Sequence, residues 1–274
     1  MDEGRTGQVS TEAAELYQRF FVPALFAQFP EPLLELADVS PGQSVIDVGC
    51  GTGVLTRAAL ARVGPEGRVR GVDVNVEMLR VAQASGAGIE WETGAAESLS
   101  APDQDFDRVV SQFALMFFVD RAAAVAEMAR VLRPKGRACV ATWAQVAESP
   151  GYAALMDLLG ELFGEEAALA LAAPFAIGTA EALEAELSRG FEEVTIHRVE
   201  GTAHFASLDD WLTTDVRAWT LSALIDDAQF EAFAPARAEA AGRVRRCGGR
   251  RELPCARAGR GGHPTAARAQ APRN

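Results

Sequence analysis

The chain has 274 residues, 49% of them hydrophobic, so it can bury one sizeable core, with or without a subdomain. Its net charge of −12 disfavours nucleic acid as a partner, because nucleic-acid-binding proteins neutralise phosphates with Lys and Arg. No stretch approaches the ~20 apolar residues of a membrane span. The amino terminus lacks the pattern of a secretion signal, which favours the cytoplasm. The four cysteines form no C-x-x-C pair, so the sequence implies neither a disulfide nor a metal site.

Helical spacing of apolar residues predicts cover helices at the amino terminus. The first covers residues 11–29 and is interrupted by the aromatic step Phe20-Phe21-Val22-Pro23. A second covers residues 31–37 and leads through a Pro-Gly turn into the first strand. The aromatic residues, Tyr17 among them, either pack this helix on the core or close over a ligand.

The run Val45-Ile46-Asp47-Val48-Gly49-Cys50-Gly51-Thr52-Gly53 predicts a buried strand that enters a three-glycine turn, followed by a helix from Val54. Glycines are needed where the backbone turns sharply and approaches a ligand without an intervening Cβ. A dinucleotide site has the pattern Gly-x-Gly-x-x-Gly. Here the third glycine comes one residue early, which disfavours a site that binds the pyrophosphate of a dinucleotide.

A second acidic residue follows at the expected place. Residues 68–75 predict the next strand, and Asp73 at its carboxyl end can accept hydrogen bonds from both hydroxyls of a ribose. Five residues on, Met78 offers a soft apolar side chain for the face of an adenine.

The glycine turn followed by Asp73 resembles the class I S-adenosylmethionine-dependent methyltransferases, and most closely the branch of ubiquinone and menaquinone biosynthesis. The resemblance implies S-adenosylmethionine as cofactor, held by Asp47, Gly49, Gly51, Gly53, Asp73 and Met78. It implies an α/β fold with a doubly wound, mostly parallel seven-stranded sheet in the order 3-2-1-4-5-7-6 and a helical lid. It also implies that Tyr17 can close over the cofactor.

The chain departs from this family on the adenine side. Residues 89–94 predict the third strand, after which relatives carry an aspartate that accepts a hydrogen bond from the adenine amino group. This chain has Ala95, followed by Ala96 and Glu97. The contact must therefore come from Glu97, a backbone carbonyl or water.

Residues 105–114 predict the fourth strand, and its carboxyl end lies at the sheet edge where α/β folds bind ligands. We therefore expect Ser111, Gln112 and Phe113 beside the transferable methyl group. Residues 115–118 either wall the acceptor pocket or belong to the core. Residues 138–143 predict the fifth strand, after a helix that Pro134 ends.

The following residues predict a lid over the acceptor, with a stabilising helical hairpin as the alternative. Residues 150–177 are Ala- and Leu-rich and helical, another helix covers 179–188, and period-two alternation marks a sixth strand at 191–199. His204 is a weak candidate for a general base, with a loop histidine as the alternative. Trp211 and Trp219 share one face of a helix predicted over 208–225.

The carboxyl terminus differs in composition, with nine Arg and one acid from Gly242 to Asn274. No seventh strand can be read there, so we expect that strand to be missing or altered. We expect disorder from about residue 240, and a frame shift in a GC-rich gene would explain the composition. The predicted divisions are cover helices at 1–40, a cofactor-binding core at 41–145, a lid with the sixth strand at 146–235, and the tail at 236–274.

The resemblance implies methyl transfer from S-adenosylmethionine to a small-molecule acceptor, by in-line displacement and mainly positional catalysis. A non-catalytic binding or regulatory protein of the same fold is the alternative, and a nucleotide-dependent oxidoreductase is a more remote one. The sequence identifies neither the acceptor nor the oligomeric state.

Overall fold

The computed structural model describes residues 10–217, 221, 225, 230 and 264–270. Seven strands in this part of the chain are Ser44–Val48 (β1), Arg68–Asp73 (β2), Glu90–Thr93 (β3), Phe106–Gln112 (β4), Leu132–Trp143 (β5), Glu193–Arg198 (β6) and Pro264–Gln270 (β7). They form one sheet in the order β3-β2-β1-β4-β5-β7-β6, as the family resemblance implied.

The first five strands pair in parallel and carry the core. In β1, Val45, Ile46 and Val48 are fully buried although they alternate between the two faces of the sheet. Such continuous burial is typical of a parallel strand that is covered by helices on both sides. The doubly wound α/β class is therefore confirmed.

A seventh strand forms where the sequence analysis expected one that is missing or altered, and residues 264–270 correct the disorder expected there. Pro264–Gln270 runs antiparallel between β5 and β6, and pairs its backbone with both. Its altered sequence, Pro-Thr-Ala-Ala-Arg-Ala-Gln, gives little apolar alternation. The pairing is made by backbone N–H and C=O groups, which β5 and β6 would otherwise leave without partners, so it needs no apolar pattern. The disorder predicted for the rest of the tail lies outside the described residues.

Helices cover the sheet. The described ones are Thr11–Leu16 (α1), Pro30–Leu36 (α2), Val54–Val63 (α3), Val76–Gln83 (α4), Arg121–Arg130 (α5), Pro150–Phe163 (α6), Glu165–Ala172 (α7), Ala180–Leu187 (α8) and Leu208–Arg217 (α9). Short 3₁₀ turns are Leu115–Phe117, Val146–Glu148 and Ala173–Phe175. Side chains of Ser10, Asn75, Asp120 and Thr179 cap four of the helices.

The first cover helix widens where the aromatic step was predicted to interrupt it. After α1 the chain continues as a π-helix, Tyr17–Phe26, which contains Pro23. Proline has no N–H to donate and displaces the preceding turn, so the regular α-helical ladder cannot continue through it. The π-helix buries Phe21 and Phe26 on the core side.

The fifth strand is longer than predicted. Helix α5 ends at Arg130, four residues before Pro134, and β5 begins at Leu132. Leu132 pairs with Phe106, whereas Arg137 pairs with Arg108, so the intervening residues form a bulge. Lys135, with φ +68°, makes the sharp turn within it.

Candidate active site

Three glycines with positive φ form the turn between β1 and α3, at +74°, +53° and +82° for Gly49, Gly51 and Gly53. A Cβ on Gly49 would lie 2.4 Å from that of Ala114, and one on Gly53 would lie 2.4 Å from the Trp91 ring. A Cβ on Gly51 would meet no atom within 4 Å. Two of the glycines therefore allow close packing, whereas Gly51 leaves free space for a ligand.

Asp73 holds this turn from the neighbouring strand. Its Oδ2 accepts a hydrogen bond from the Gly51 N–H at 2.7 Å, and its Oδ1 accepts one from the Asn75 N–H at 2.8 Å. Burial raises the pKa of Asp73, and the backbone hydrogen bonds from Asn75, Gly51 and Val74 oppose that rise. Because a carboxylate has about four acceptor sites, Asp73 still has acceptor capacity for a ribose.

Asp47 lies deeper, at 1% exposure. Its Oδ2 accepts a hydrogen bond from Thr56 Oγ1 at 2.6 Å, while its Oδ1 has no partner among the described residues. Burial raises the pKa of Asp47 to about 7; the hydrogen bond from Thr56 opposes the rise, and the Asp73 charge adds to it. The neighbouring Thr52 Oγ1 is also buried without a described partner. The turn thus presents polar atoms that a ligand can satisfy.

These groups line one cavity of about 230 Å³ at the carboxyl ends of β1, β2 and β4. Ten of the eleven residues predicted to bind the cofactor lie on its wall: Tyr17, Asp47, Gly49, Gly51, Asp73, Met78, Ala95, Ala96, Glu97 and Gln112. Gly53 is outside the wall, because it packs against Trp91 at the start of α3. Sequence reasoning did not assign to this wall Cys50, Thr52, Val54, Leu55, Val74, Gly94, Ala114 and Val119.

Glu97, a candidate for the adenine contact, has a structural role. Glu97 Oε1 accepts hydrogen bonds from the backbone N–H groups of Val119 and Asp120, at 2.8 and 3.1 Å. Glu97 therefore fixes the loop that carries Phe117 and Phe118, which also line the cavity. Ala95 itself offers no side-chain acceptor at the position where the family carries an aspartate.

Aromatic rings close the cavity at the carboxyl end of β4. Phe113 has a φ of +56°, which is strained for a bulky residue, and its ring stacks on Trp143 at 3.9 Å and 4°. Gln112 donates from Nε2 to the Phe26 carbonyl at 3.4 Å, and its buried Oε1 has no described partner. Of residues 115–118, Leu115 and Met116 belong to the core, whereas the two phenylalanines face the cavity.

The cover helix closes the opposite side. Tyr17 lines the cavity and stacks on Phe26 at 5.1 Å. Burial raises the pKa of Tyr17, and the Asp73 charge raises it further. Helix α1 is tied to α4 by a hydrogen bond from Thr11 to Glu77 and by an ion pair of Glu15 with Arg80.

The remaining predicted residues lie elsewhere. Ser111, expected beside the methyl group, donates its Oγ to the Val48 carbonyl and is fully buried. His204 is exposed, does not line the cavity, and donates its backbone N–H to the Ala24 carbonyl. Trp211 is buried in the lid, and Trp219 lies outside the described residues.

The charge of the cavity is one-sided. Its ionisable carboxylates are Asp47, Asp73 and Glu97, and none of its described lining residues is Lys, Arg or His. A cationic ligand is favoured in such a wall and a pyrophosphate is not, because like charges repel strongly where water is partly excluded.

Comparison with known proteins agrees with this geometry. The methyltransferase domain family matches residues 45–136. A ubiquinone/menaquinone biosynthesis C-methyltransferase of Bordetella avium is 41% identical over 122 residues, which are 42% of this chain and 48% of that protein. A nocamycin O-methyltransferase of Saccharothrix syringae is 37% identical over 110 residues, 38% of this chain and 39% of that protein. The chain thus spans less than half the length of these relatives.

A crystal structure described as a methyltransferase from an antibiotic biosynthesis pathway of Anabaena variabilis shares the fold. It has a TM-score of 0.62 and 20% identity, and the match covers 88% of this chain and 96% of that one. That likeness shows the fold, and residues 45–136 match the methyltransferase domain family.

Within the described residues, no single helix has the length and apolar character to cross a bilayer, although one bent pair, Glu165–Phe175 with Ala180–Leu187, passes the same criteria.

Proposed function

We propose that this chain transfers a methyl group from S-adenosylmethionine to a small-molecule acceptor. The observation that carries the proposal is the composition of the cavity wall. It contains the Gly51 turn, Asp73 and further carboxylates, and none of its described residues is basic. S-adenosylmethionine brings a sulfonium, an ammonium group and a ribose, and each has a suitable partner there. A dinucleotide would place its negatively charged pyrophosphate against the same carboxylates, and their repulsion disfavours its binding.

The residues fit this cofactor on local evidence. The free space in front of Gly51, which a Cβ would fill, admits a ligand against the backbone. Asp73 accepts the ribose hydroxyls, and Met78 and the apolar wall receive the adenine. Asp47 Oδ1 and Thr52 Oγ1, buried without described partners, can bind the polar end of the methionine part.

The cofactor supplies an activated methyl group for in-line displacement, so the protein contributes mainly by position. Phe113, Phe117 and Phe118 exclude water from one side of the cavity, and Tyr17 covers the other. No histidine or lysine lines the described cavity, and the carboxylates of its wall, Asp47, Asp73 and Glu97, already accept hydrogen bonds from the protein. An acceptor that needs no base, such as a neutral amine or a carbanion, suits this arrangement best.

The direct test is calorimetric titration of the chain with S-adenosylmethionine, S-adenosylhomocysteine and NADH. We expect the two sulfur compounds to bind and NADH to fail. Binding of NADH in preference to S-adenosylmethionine would refute the proposal, and absence of all binding would favour the non-catalytic alternative. Glu66→Ala, a change at an exposed residue that does not line the cavity, is the matched control.

The small-molecule class is tested with methyl-tritiated S-adenosylmethionine and a cell extract. The net charge of −12 opposes binding to nucleic acid, so we expect label in dialysable material. Label in nucleic acid would refute this.

We also propose a cytoplasmic site of action, because the described cysteines, Cys50 and Cys139, are both free thiols, as is usual in reducing compartments. Cell fractionation checks it.

A further inference from the structure

Gln112 brings to the cofactor cavity an amide side chain whose hydrogen-bonding groups the protein uses little. It is the last residue of β4 and lies on the cavity wall. Its Nε2 donates to the Phe26 carbonyl at 3.4 Å, which is long for a hydrogen bond. Its Oε1 is buried and has no partner in the described part of the chain. An unpaired buried acceptor costs free energy, which a ligand with a donor group recovers.

The contact with Phe26 determines which way the amide of Gln112 is turned. A backbone carbonyl oxygen only accepts hydrogen bonds, so the amide atom next to it must be the nitrogen. The amide oxygen is therefore the end that is left for a ligand. The last torsion of a glutamine side chain has a broad minimum. A small rotation thus presents Oε1 to a ligand in the cavity without any movement of the backbone.

The end of β4 lies against the glycine turn. Val110, two residues before Gln112 on the same strand, is in register with Asp47 of β1. A Cβ on Gly49 would lie 2.4 Å from the Cβ of Ala114 and 3.4 Å from the Phe118 ring. The methionine part of the cofactor is proposed to bind at this turn. A group bound to Gln112 is therefore expected near the methyl group.

The cavity wall beside Gln112 is aromatic. Phe113, Phe117 and Phe118 line the cavity, and the Phe113 ring stacks on Trp143 at 3.9 Å and 4°. Aromatic rings pack well against other flat rings, in offset-stacked or edge-to-face contact. This wall suits a flat apolar molecule that carries a donor group for the amide oxygen.

The nature of the donor follows from the ionisable groups of the wall. No histidine or lysine is among its described residues, and its carboxylates already accept hydrogen bonds from the protein. An alkyl amine is protonated at neutral pH, as a lysine is, and so has no lone pair for the methyl group. An aromatic amine is neutral at that pH, because its lone pair is delocalised into the ring. It combines a nucleophilic nitrogen, an N–H donor and a flat apolar body.

We propose that Gln112 Oε1 binds the reacting nitrogen of an aromatic-amine acceptor, accepting its N–H while the nitrogen lone pair points at the methyl group. This inference rests on the proposed methyl transfer. The lone pair forms the N–C bond as the S–C bond breaks and its electron pair goes to sulfur, and the cationic nitrogen then loses its proton to water. Positive charge on the nitrogen makes its N–H a stronger donor. The bond to Gln112 therefore stabilises the transition state more than the bound acceptor.

The test compares aniline with toluene, which has the same shape and carries a methyl group in place of NH₂. Each is titrated into the full chain saturated with S-adenosylhomocysteine and followed by ligand-observed NMR. Gln112→Met removes the acceptor oxygen at a similar side-chain length, so the ratio of aniline to toluene affinity should fall roughly fivefold, as expected for one neutral hydrogen bond. Gln112→Glu keeps an acceptor oxygen and loses the donor to Phe26, so it should keep the ratio. Gln83→Met, the same change at an exposed residue that does not line the cavity, is the matched control.

A kinetic measurement separates transition-state stabilisation from simple packing. With methyl-tritiated S-adenosylmethionine and aniline, Gln112→Met should lower kcat by a larger factor than it raises KM, and Gln112→Glu should restore kcat. A rise in KM with an unchanged kcat would contradict the role of this bond in the transition state.

Three binding results would overturn the proposal: neither probe binds at millimolar concentration, Gln112→Met leaves the affinity ratio unchanged, or Gln112→Glu lowers it as much as Gln112→Met does. If Gln112→Met fails to fold, the parent chain provides a second test. N-methylaniline keeps an N–H and should bind more tightly than the more apolar N,N-dimethylaniline, and the reverse order would refute the role of Gln112. An unchanged ratio in a chain that binds S-adenosylhomocysteine would refute this inference alone. Failure of S-adenosylhomocysteine to bind would refute the proposed methyl transfer as well.

Discussion

Replacing Asp73 by alanine is the sharpest perturbation of the cofactor cavity. Its two oxygens already accept the Gly51 and Asn75 N–H groups, at 2.7 and 2.8 Å. Since a carboxylate offers about four acceptor sites, Asp73 still has acceptor capacity for a ribose besides its backbone donors, which include Val74. Asp73→Ala removes both roles at once. Asp73→Asn offers a single acceptor oxygen and brings an NH₂ group against one of the backbone N–H donors, so it should also weaken binding.

The size of the effect follows from the number of hydrogen bonds lost. A hydrogen bond to a charged group contributes about 1.5–3 kcal/mol, and each ~1.4 kcal/mol is tenfold in Kd. Loss of one ribose bond should therefore raise the Kd of S-adenosylhomocysteine by about 10- to 150-fold. Loss of both bonds should raise it further.

Isothermal titration calorimetry with S-adenosylhomocysteine measures this change. Thermal unfolding without ligand separates it from loss of the turn, because Asp73 also braces Gly51 in the free protein. Glu66→Ala, an exposed substitution, should bind as the parent does. A parent-like Kd for folded Asp73→Ala would show that the ribose site has been assigned to the wrong residue.

Three further outcomes are expected. Gly51→Val should abolish cofactor binding in calorimetry, because its side chain enters the free space in front of the turn. Unchanged affinity would show that the cofactor does not lie against this turn. Ala95→Asp should lower the Kd of S-adenosylhomocysteine by restoring an acceptor for the adenine amino group, and a weaker complex would mean that another group already serves it. Asp47→Asn should gain stability over the parent in denaturant unfolding as pH rises from about 4 to about 7. The pKa of Asp47 is raised from 3.8 to about 7 by burial, so its folded-state contribution is favourable at low pH and lost across that interval. Parallel pH profiles would contradict this last expectation.

Local sequence was sufficient for most of the cofactor cavity. The glycines, Asp47 and Asp73 could be recognised because a tight turn and a ribose contact each require particular residue types at fixed spacing. Gly53 was predicted to bind the cofactor because its spacing matched; in the structure it does not line the cavity and packs against Trp91. That contact is between β3 and the turn, and no local pattern records it.

Burial and long-range pairing were decided by the tertiary structure alone. Sequence made Glu97 one candidate for the adenine contact, with a backbone carbonyl or water as alternatives, but only the fold shows that its carboxylate holds the loop at Val119. The same holds for the lid, where Trp211 and Asp215 meet Tyr152 across two helices that are far apart in the chain.

The sheet shows most clearly which features the sequence determined and which the tertiary structure decided. Apolar runs and turn residues determined the parallel strands, since a strand buried on both faces must be apolar along its length. The seventh strand has no such pattern, and the sequence alone predicted it to be missing or altered. Its place between β5 and β6 is decided by backbone hydrogen bonds that those two strands leave to be satisfied, and this requirement exists only once the sheet has formed.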